Sequence, residues 1–314
     1  MSRKAWLQLV LPLSGLSVLF CLLAFAPGEK HHQPPLLEMS VILRDGDGAV
    51  STMRKGMEQA AQDLNVELRF LIPAEDTSAG QQAPLLEREV AGAAPAVLLI
   101  PADREALGDA VSAAAGKTTL VTVETDMTAW GAAASITMDH QALGEALGAA
   151  ALNGVPAGGT VLLLDSLPGD NGIRERMEAA KAVLEREGRQ VRVYKWDPAT
   201  TALPDILRIE RPRAIIAFEA AALADMAELS RGEDAFPLLY GCGSTSSIAA
   251  ALEKGRVTAI TAVNVFSAGY LAVEAAAALA RHEDWTAASP VAFSIVRQET
   301  MYDSDNQKLL FPVT

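Results

Sequence analysis

Residues 96–115 read AVLLIPADREALGDAVSAAA, and the fold follows from them. Five apolar residues without alternation predict a strand buried on both faces. Pro101 ends it, because proline has no N–H for the ladder. Asp103 then stands as an N-cap, and Leu107, Ala110, Val111 and Ala114 recur at helical spacing through Ala115. A bare apolar strand followed at once by a capped amphipathic helix is half of a βαβ unit.

The same alternation runs outward in both directions. Upstream, strands are expected at 39–44 and 66–71, with helices at 50–64 and 84–91. Downstream, strands at 119–123 and 134–138 lead to a helix from Asp139 to Asn153. The cycle then restarts with strands at 160–164, 191–196, 214–218, 237–240, 257–263 and 291–296. Helices near 171–187, 203–209, 219–231, 244–254 and 266–281 separate them. More than ten strands are many for one open sheet. Two doubly wound parallel lobes fit better, with the break near Asp139. Ligands in such sheets sit beyond the carboxyl ends of the strands. That rule points to the loops beginning at Arg44, Glu124, Leu164, Phe218 and Tyr240.

Ala5 to Ala26 carries no charge, and such a run spans a ~30 Å hydrocarbon core as a helix. Arg3 and Lys4 precede it, so the remainder is expected outside the cell membrane. Ala24-Phe25-Ala26 has the small-x-small form of a secretory cleavage site, but Pro27 makes the bond to be cut a tertiary amide. An uncleaved single-pass anchor over 1–27 is therefore expected, with a cleaved signal peptide as the alternative. A lipoprotein acylated at Cys21 fits poorly, since Phe20 is bulky where a small residue is wanted. Residues 28–38 read as a linker, and His31-His32 as part of its polar character. With 39 acidic against 26 basic residues, net charge −13, the chain repels phosphate backbones, which excludes nucleic-acid partners. Cys21 sits within the membrane segment and Cys242 far along the exported part, so no internal disulfide is available.

Several segments together carry a resemblance: MRKGMEQAAQDLNVELRFL (53–71), LLIPADREALGDAV (98–111), ITMDHQALGEALGAAAL (136–152), GIRERMEAAKAVL (172–184), LEKGRVTAITAVN (252–264) and the closing TMYDSDNQKLLFPV (300–313). In this order and spacing they resemble the type I periplasmic binding proteins of the ribose/galactose class. These share their fold with the ligand domains of lactose-repressor-like regulators. The resemblance implies two lobes joined by three crossovers, 39–138 plus 265–288 and 139–264 plus 289–314, around a small sugar-like solute. It implies ligand contacts from Asp47, Glu124, Asp139, Arg174, Glu219, Cys242 and Asn264. It implies no cofactor, metal or catalysis, a monomeric ectodomain, and a membrane permease of an ABC-type transporter as partner. The sequence departs from the sugar binders at Ala49-Val50, where two aromatics stack on the ring, and at Gly241-Cys242-Gly243, where they carry Gly-Phe-Asp-Gly. Glu219 stands where they place Asn.

Two rivals remain open. One is a ligand-sensing module for a membrane sensor kinase. The other is an exported thiol enzyme with Cys242 as nucleophile and His140 as base.

Overall fold

The computed structural model describes residues 35–44, 48–73, 79–167, 170–197, 203–231, 235–286 and 290–311. The expected anchor, the first part of the linker and Asp47 lie outside them. Among the described residues, no helix is long and apolar enough to cross a membrane.

The first sheet holds β1 (Leu37–Ile42), β2 (Val66–Leu71), β3 (Ala96–Leu99), β4 (Thr119–Glu124) and β5 (Ala134–Thr137). Their order is β2-β1-β3-β4-β5 and every pairing is parallel. In β3 all four residues are buried, which is why its sequence is apolar without alternation. Val97 and Leu99 face one core with Leu86, Leu107 and Val111, while Ala96 and Leu98 face the other with Met53, Met57 and Ala272. The first set comes from α2 (Ala79–Ala91) and α3 (Arg104–Ala114), the second from α1 (Gly48–Leu64) and from the later helix α9 (Val265–Ala280). Asp103 caps α3, accepting from the Ala106 N–H at 2.9 Å.

The second sheet holds β6 (Thr160–Asp165), β7 (Gln190–Lys195), β8 (Ala214–Ala217), β9 (Leu238–Cys242), β10 (Ala259–Val263) and β11 (Phe293–Val296). Its order is β11-β10-β9-β8-β6-β7. The helices α4 (His140–Leu152), α5 (Asn171–Arg186), α6 (Leu203–Glu210), α7 (Ala220–Leu229) and α8 (Ser246–Glu253) belong to it. Two cores cover its faces, one around Leu162, Ile215 and Leu223, the other around Val161, Ile216 and Tyr240. The tail, expected only as a family-like ending, forms α10 (Ser304–Leu310).

The chain passes between the sheets three times. It leaves the first after β5, returns to it after β10 as α9, and rejoins the second as β11. These crossovers lie side by side: Val291 N–H donates to Thr137 C=O at 2.9 Å, and Asn264 N–H to Ala292 C=O at 3.4 Å. The last crossover corrects the expectation of purely parallel sheets, because β11 runs antiparallel to β10. β10 leaves its sheet at the carboxyl end, and the chain re-enters from that same end, so the strand must run back.

Each lobe pairs two helices at backbone contact. A Cβ on Gly56 of α1 would strike the Phe266 carbonyl of α9, and one on Gly269 of α9 the Met53 carbonyl of α1. In the second lobe a Cβ on Gly144 of α4 would strike the Arg176 carbonyl of α5, and one on Gly148 would crowd that of Ala180.

Candidate functional site

Strand order locates the crevices. β1 and β3 are neighbours whose chains leave to opposite faces, as are β6 and β8, so the sheet opens between them at the carboxyl ends. In the first lobe Gln82, fully buried, fastens this opening. Its Nε2 donates to Leu43 C=O at 3.1 Å and Ile100 C=O at 2.7 Å, and its Oε1 accepts from Ala102 N–H at 2.8 Å. The residue after Leu43 is Arg44.

Arg44 reaches across to the second lobe. Its Nη1 donates to Asp170 Oδ2 at 2.5 Å and to Glu124 Oε2 at 3.3 Å. All three side chains are nearly buried, so the pairing acts in a medium of low dielectric. Asp170 is also the N-cap of α5, its Oδ1 accepting from Ile173 N–H at 2.8 Å. Glu124 has φ +69°, a left-handed conformation that costs a β-carbon-bearing residue about 1 kcal/mol or more. The contacts on both its side chain and its carbonyl hold it there.

That carbonyl meets His140, the first residue of α4, whose Nε2 lies 3.2 Å away. Arg176 Nε donates to His140 Nδ1 at 3.1 Å, and Arg176 Nη1 to Phe218 C=O at 2.9 Å. A guanidinium N–H can only donate, so Nδ1 must be the acceptor and Nε2–H the donor to Glu124. The ring is therefore neutral and its tautomer fixed. Burial, and then the charge of Arg176, push its pKa down to about 4. Gly172 makes room for it, since a Cβ there would press on the ring.

Beside this, Asn171 joins the lobes again. Its Oδ1 accepts from Arg104 N–H at 3.0 Å and its Nδ2 donates to Glu105 Oε2 at 2.6 Å. Burial alone would raise the Glu105 pKa, but the Asn171 amide and Arg104 hold it below the usual glutamate value.

Between the lobes these groups enclose a cavity of about 70 Å³, lined by Arg44, Glu124, Asp170, Arg176 and Glu219. Thr52, Ser244 and Thr245 add hydroxyls, and Met138, Ile173, Val263 and Val265 form apolar walls. No aromatic side chain is among the described lining residues. Guanidinium donors facing carboxylate acceptors suit a small polyhydroxy solute, whose every hydroxyl both gives and accepts a hydrogen bond. Larger depressions lie at the far ends of the lobes, one near Arg69 and Glu89, the other near Leu203 and Phe236, each confined to one lobe. A polar cavity of about 240 Å³ also lies between the lobes, lined by Arg104, Glu124, Asp126, Asn171 and Glu175.

Of the residues singled out in the sequence, Glu124, Glu219 and Cys242 line this cavity. Glu219 also caps α7, accepting from Ala221 N–H at 2.7 Å. Asp139 and Asn264 cap α4 and α9 through Ala142 and Ser267 N–H, and neither lines the cavity. Arg174 is exposed on α5, so a cleft position for its guanidinium is corrected. Helical spacing gives the reason: Ile173, Arg176 and Ala180 share the inward face, and residue 174 turns away. Cys242 accepts from Thr261 Oγ1 at 3.1 Å while both His140 nitrogens are engaged elsewhere, so no thiol–imidazole pair forms. Sequence reasoning missed Arg44, Asp170 and Arg176, and saw His140 only as a base.

The family described as periplasmic binding protein domain matches residues 40–284. No curated protein matches the chain. Among solved structures, an ABC transporter solute binding protein from Agrobacterium vitis with bound D-fucose is similar at 17% identity, TM-score 0.81, over 87% of this chain and 100% of that one. A carbohydrate transporter solute binding protein from Agrobacterium radiobacter with D-arabinose is similar at 19% identity, TM-score 0.81, over 88% and 99%. The XylFII-LytSN complex contains a chain similar at 14% identity, TM-score 0.76, over 85% and 99%.

Proposed function

The chain belongs to the periplasmic binding protein family, and on that premise we propose that it captures a small sugar or sugar-like solute outside the cell membrane and delivers it to an ABC-type permease. One observation carries this reading: Arg44 of one lobe and Asp170 of the other meet where the two switch-point crevices face each other. A solute bound there touches both lobes, and its hydroxyls find charged partners that water would otherwise occupy. The likeness in fold to solute binding proteins solved with D-fucose and D-arabinose bound supports a monosaccharide-sized ligand. The cavity's walls, lacking a stacking ring among the described residues, favour a solute held by hydrogen bonds at its edges.

The test is a thermal-shift panel containing D-fucose, D-arabinose, D-tagatose, D-galactose, D-glucose and myo-inositol. A ligand at 100-fold its Kd stabilises by about 2.7 kcal/mol, a plain shift in melting temperature. A flat response across the panel would count against a sugar.

The uncharged 5–26 segment supports a membrane tether with the lobes extracytoplasmic. Mass spectrometry of the membrane-extracted protein decides it: an intact N-terminus agrees, and a mature start at Pro27 or later does not. A second reading, as the ligand module of a membrane sensor, is favoured by the likeness to a chain in the XylFII-LytSN complex. Co-purification with a permease rather than a sensor separates the two.

A further inference from the structure

The second lobe carries a groove at the end away from the cleft. It lies where α6 and α7 finish and where β8 and β9 begin, Ala214 of one strand pairing with Leu238 of the other. Leu203, Leu207, Leu229 and Phe236 wall it, Arg211 and Arg213 stand exposed at its rim, and its volume is about 620 Å³. The groove exists because α6 covers its core incompletely. That helix has eight residues; it buries Leu203 but leaves Ile206 and Leu207 only half-buried. α6 and α7 cover the same core yet barely touch each other, whereas α4 and α5 meet at backbone contact. Leu229, at the end of α7, is 48% exposed. The volume falls in the roughly 300–1,000 Å³ range of small-molecule pockets. A protein partner calls instead for a broad patch of about 800 Å².

The rim carries positive charge that nothing nearby answers. Among the described residues, neither Arg211 nor Arg213 has a side-chain hydrogen bond or ion pair. The acids close to them in the chain are engaged elsewhere. Asp205 holds Arg208 at 2.9 Å, Glu210 faces Arg192 at 3.5 Å, and Glu228 holds Arg231 at 2.8 Å. Nor do the helix ends need these guanidiniums. Arg211 N–H donates to Leu207 C=O, Ser230 N–H to Met226 C=O, and Arg256 Nη1 to Ala227 C=O. Two unpaired cations at the mouth of an apolar groove, on a chain of net charge −13, suit an anion with an apolar body. The planar fork of a guanidinium matches a carboxylate in particular.

We propose that this groove binds an aliphatic monocarboxylate, with its chain among Leu203, Leu207, Leu229 and Phe236 and its carboxylate between Arg211 and Arg213. Each methylene buried there multiplies affinity about fourfold, and the two arginines select the charged head over a neutral or cationic one. The groove shares no lining residue with the interlobe cavity and lies at the opposite ends of the strands. It therefore stands whether or not the cleft takes a sugar.

Photolabelling tests it on the full chain in phosphatidylcholine vesicles. The probe is decanoate carrying a diazirine at its last carbon, and labelled residues are mapped by mass spectrometry. The label should fall on Leu203, Leu207, Leu229 or Phe236. Excess decanoate should reduce it at least tenfold, while 1-decanol and decyltrimethylammonium at the same concentration should leave it. Arg211→Gln combined with Arg213→Gln removes both charges at exposed positions, and should cut labelling at least tenfold without lowering the melting temperature. Leu229→Glu, which sets an anion in the groove wall at a half-exposed site, should do the same. Label on none of the four residues overturns the proposal, as does a double arginine variant labelled like wild type. Equal removal by 1-decanol also overturns it, and would mark an apolar seat for a partner helix. Removal by phosphatidylglycerol added to the vesicles, with no effect of decanoate, would give the arginines to lipid headgroups instead.

Discussion

Asp170 serves two lobes with one carboxylate: Oδ1 caps its own helix at Ile173 N–H, and Oδ2 holds Arg44 of the facing lobe at 2.5 Å. Asn at this position can still cap but carries no charge. Asp170→Asn should therefore melt close to wild type, while its affinity for the sugar identified in the panel falls at least tenfold. Asp170→Ala should lose the cap as well, about 1 kcal/mol of stability. Calorimetric titration and thermal melting on both variants check this. Asp170→Asn binding as tightly as wild type would detach Arg44 from the ligand site.

The two arginines of α5 make an internal control. Arg176 donates into the cleft wall and to His140, whereas Arg174 points to solvent. Truncating a buried charged donor that leaves its partners unpaired typically costs about 2–5 kcal/mol of binding, and an exposed helix charge within about 0.5 kcal/mol of stability. Arg176→Ala should weaken binding at least tenfold, and Arg174→Ala should leave affinity unchanged. The reverse order would return the ligand role to Arg174.

This pair also marks how far the sequence could be read. Strands were legible because burial on both faces demands uninterrupted apolar runs, and helix starts because Asp103 and Asp139 are capping residues in the sequence itself. The site was legible only to the nearest loop: Arg44 opens a loop that was named, yet the chosen residue in it was Asp47. Arg44 and Asp170 are separated by 126 positions, and nothing local to either announces the other. The left-handed backbone of Glu124 is equally silent, since its cause lies in contacts from two other elements. The antiparallel β11 depends on which end of the sheet the chain re-enters, which periodicity does not encode.

Gln82 fastens the ends of β1 and β3 with three hydrogen bonds from a fully buried amide. Gln82→Leu keeps much of the volume but strands two carbonyls and the Ala102 N–H. A loss of about 3 kcal/mol or more in urea unfolding is expected, at ~1–3 kcal/mol for each buried unsatisfied group. A loss below about 1 kcal/mol would show that the loop relaxes to water instead.

Glu89 predicts an acid limb of stability. Its carboxylate is buried at the far end of the first lobe; burial raises its pKa, but the Ser40 hydroxyl at 2.6 Å and the charges of Arg69 and Arg88 outweigh that and hold it below the usual value. A folded pKa below the unfolded one gives stability that is present above about pH 4.5 and lost as pH falls further. Glu89→Gln should be less stable at pH 7 and show a flatter melting profile below pH 4.5. Parallel profiles for the two proteins would assign the acid limb to other groups.

Gly144→Ala should cost several kcal/mol, because the added methyl meets the Arg176 backbone carbonyl rather than a side chain that could swing aside. Equilibrium unfolding checks it; a change under about 1 kcal/mol would mean that α4 and α5 can separate without cost.

The glycine contacts also set the mechanics of any motion. With backbones touching, α5 cannot slide along α4, nor α1 along α9. The helix that carries Asp170 and Arg176 is thereby geared to the helix that begins at the first crossover, and α1 to the helix that begins at the second. A small twist where the chain changes lobes then swings a whole lobe as a lever, and a pull at the ligand is felt as torque at the crossovers. A partner resting on both lobes would need to recognise no new shape. It would act as a caliper, reading the spacing between two faces that themselves stay unchanged.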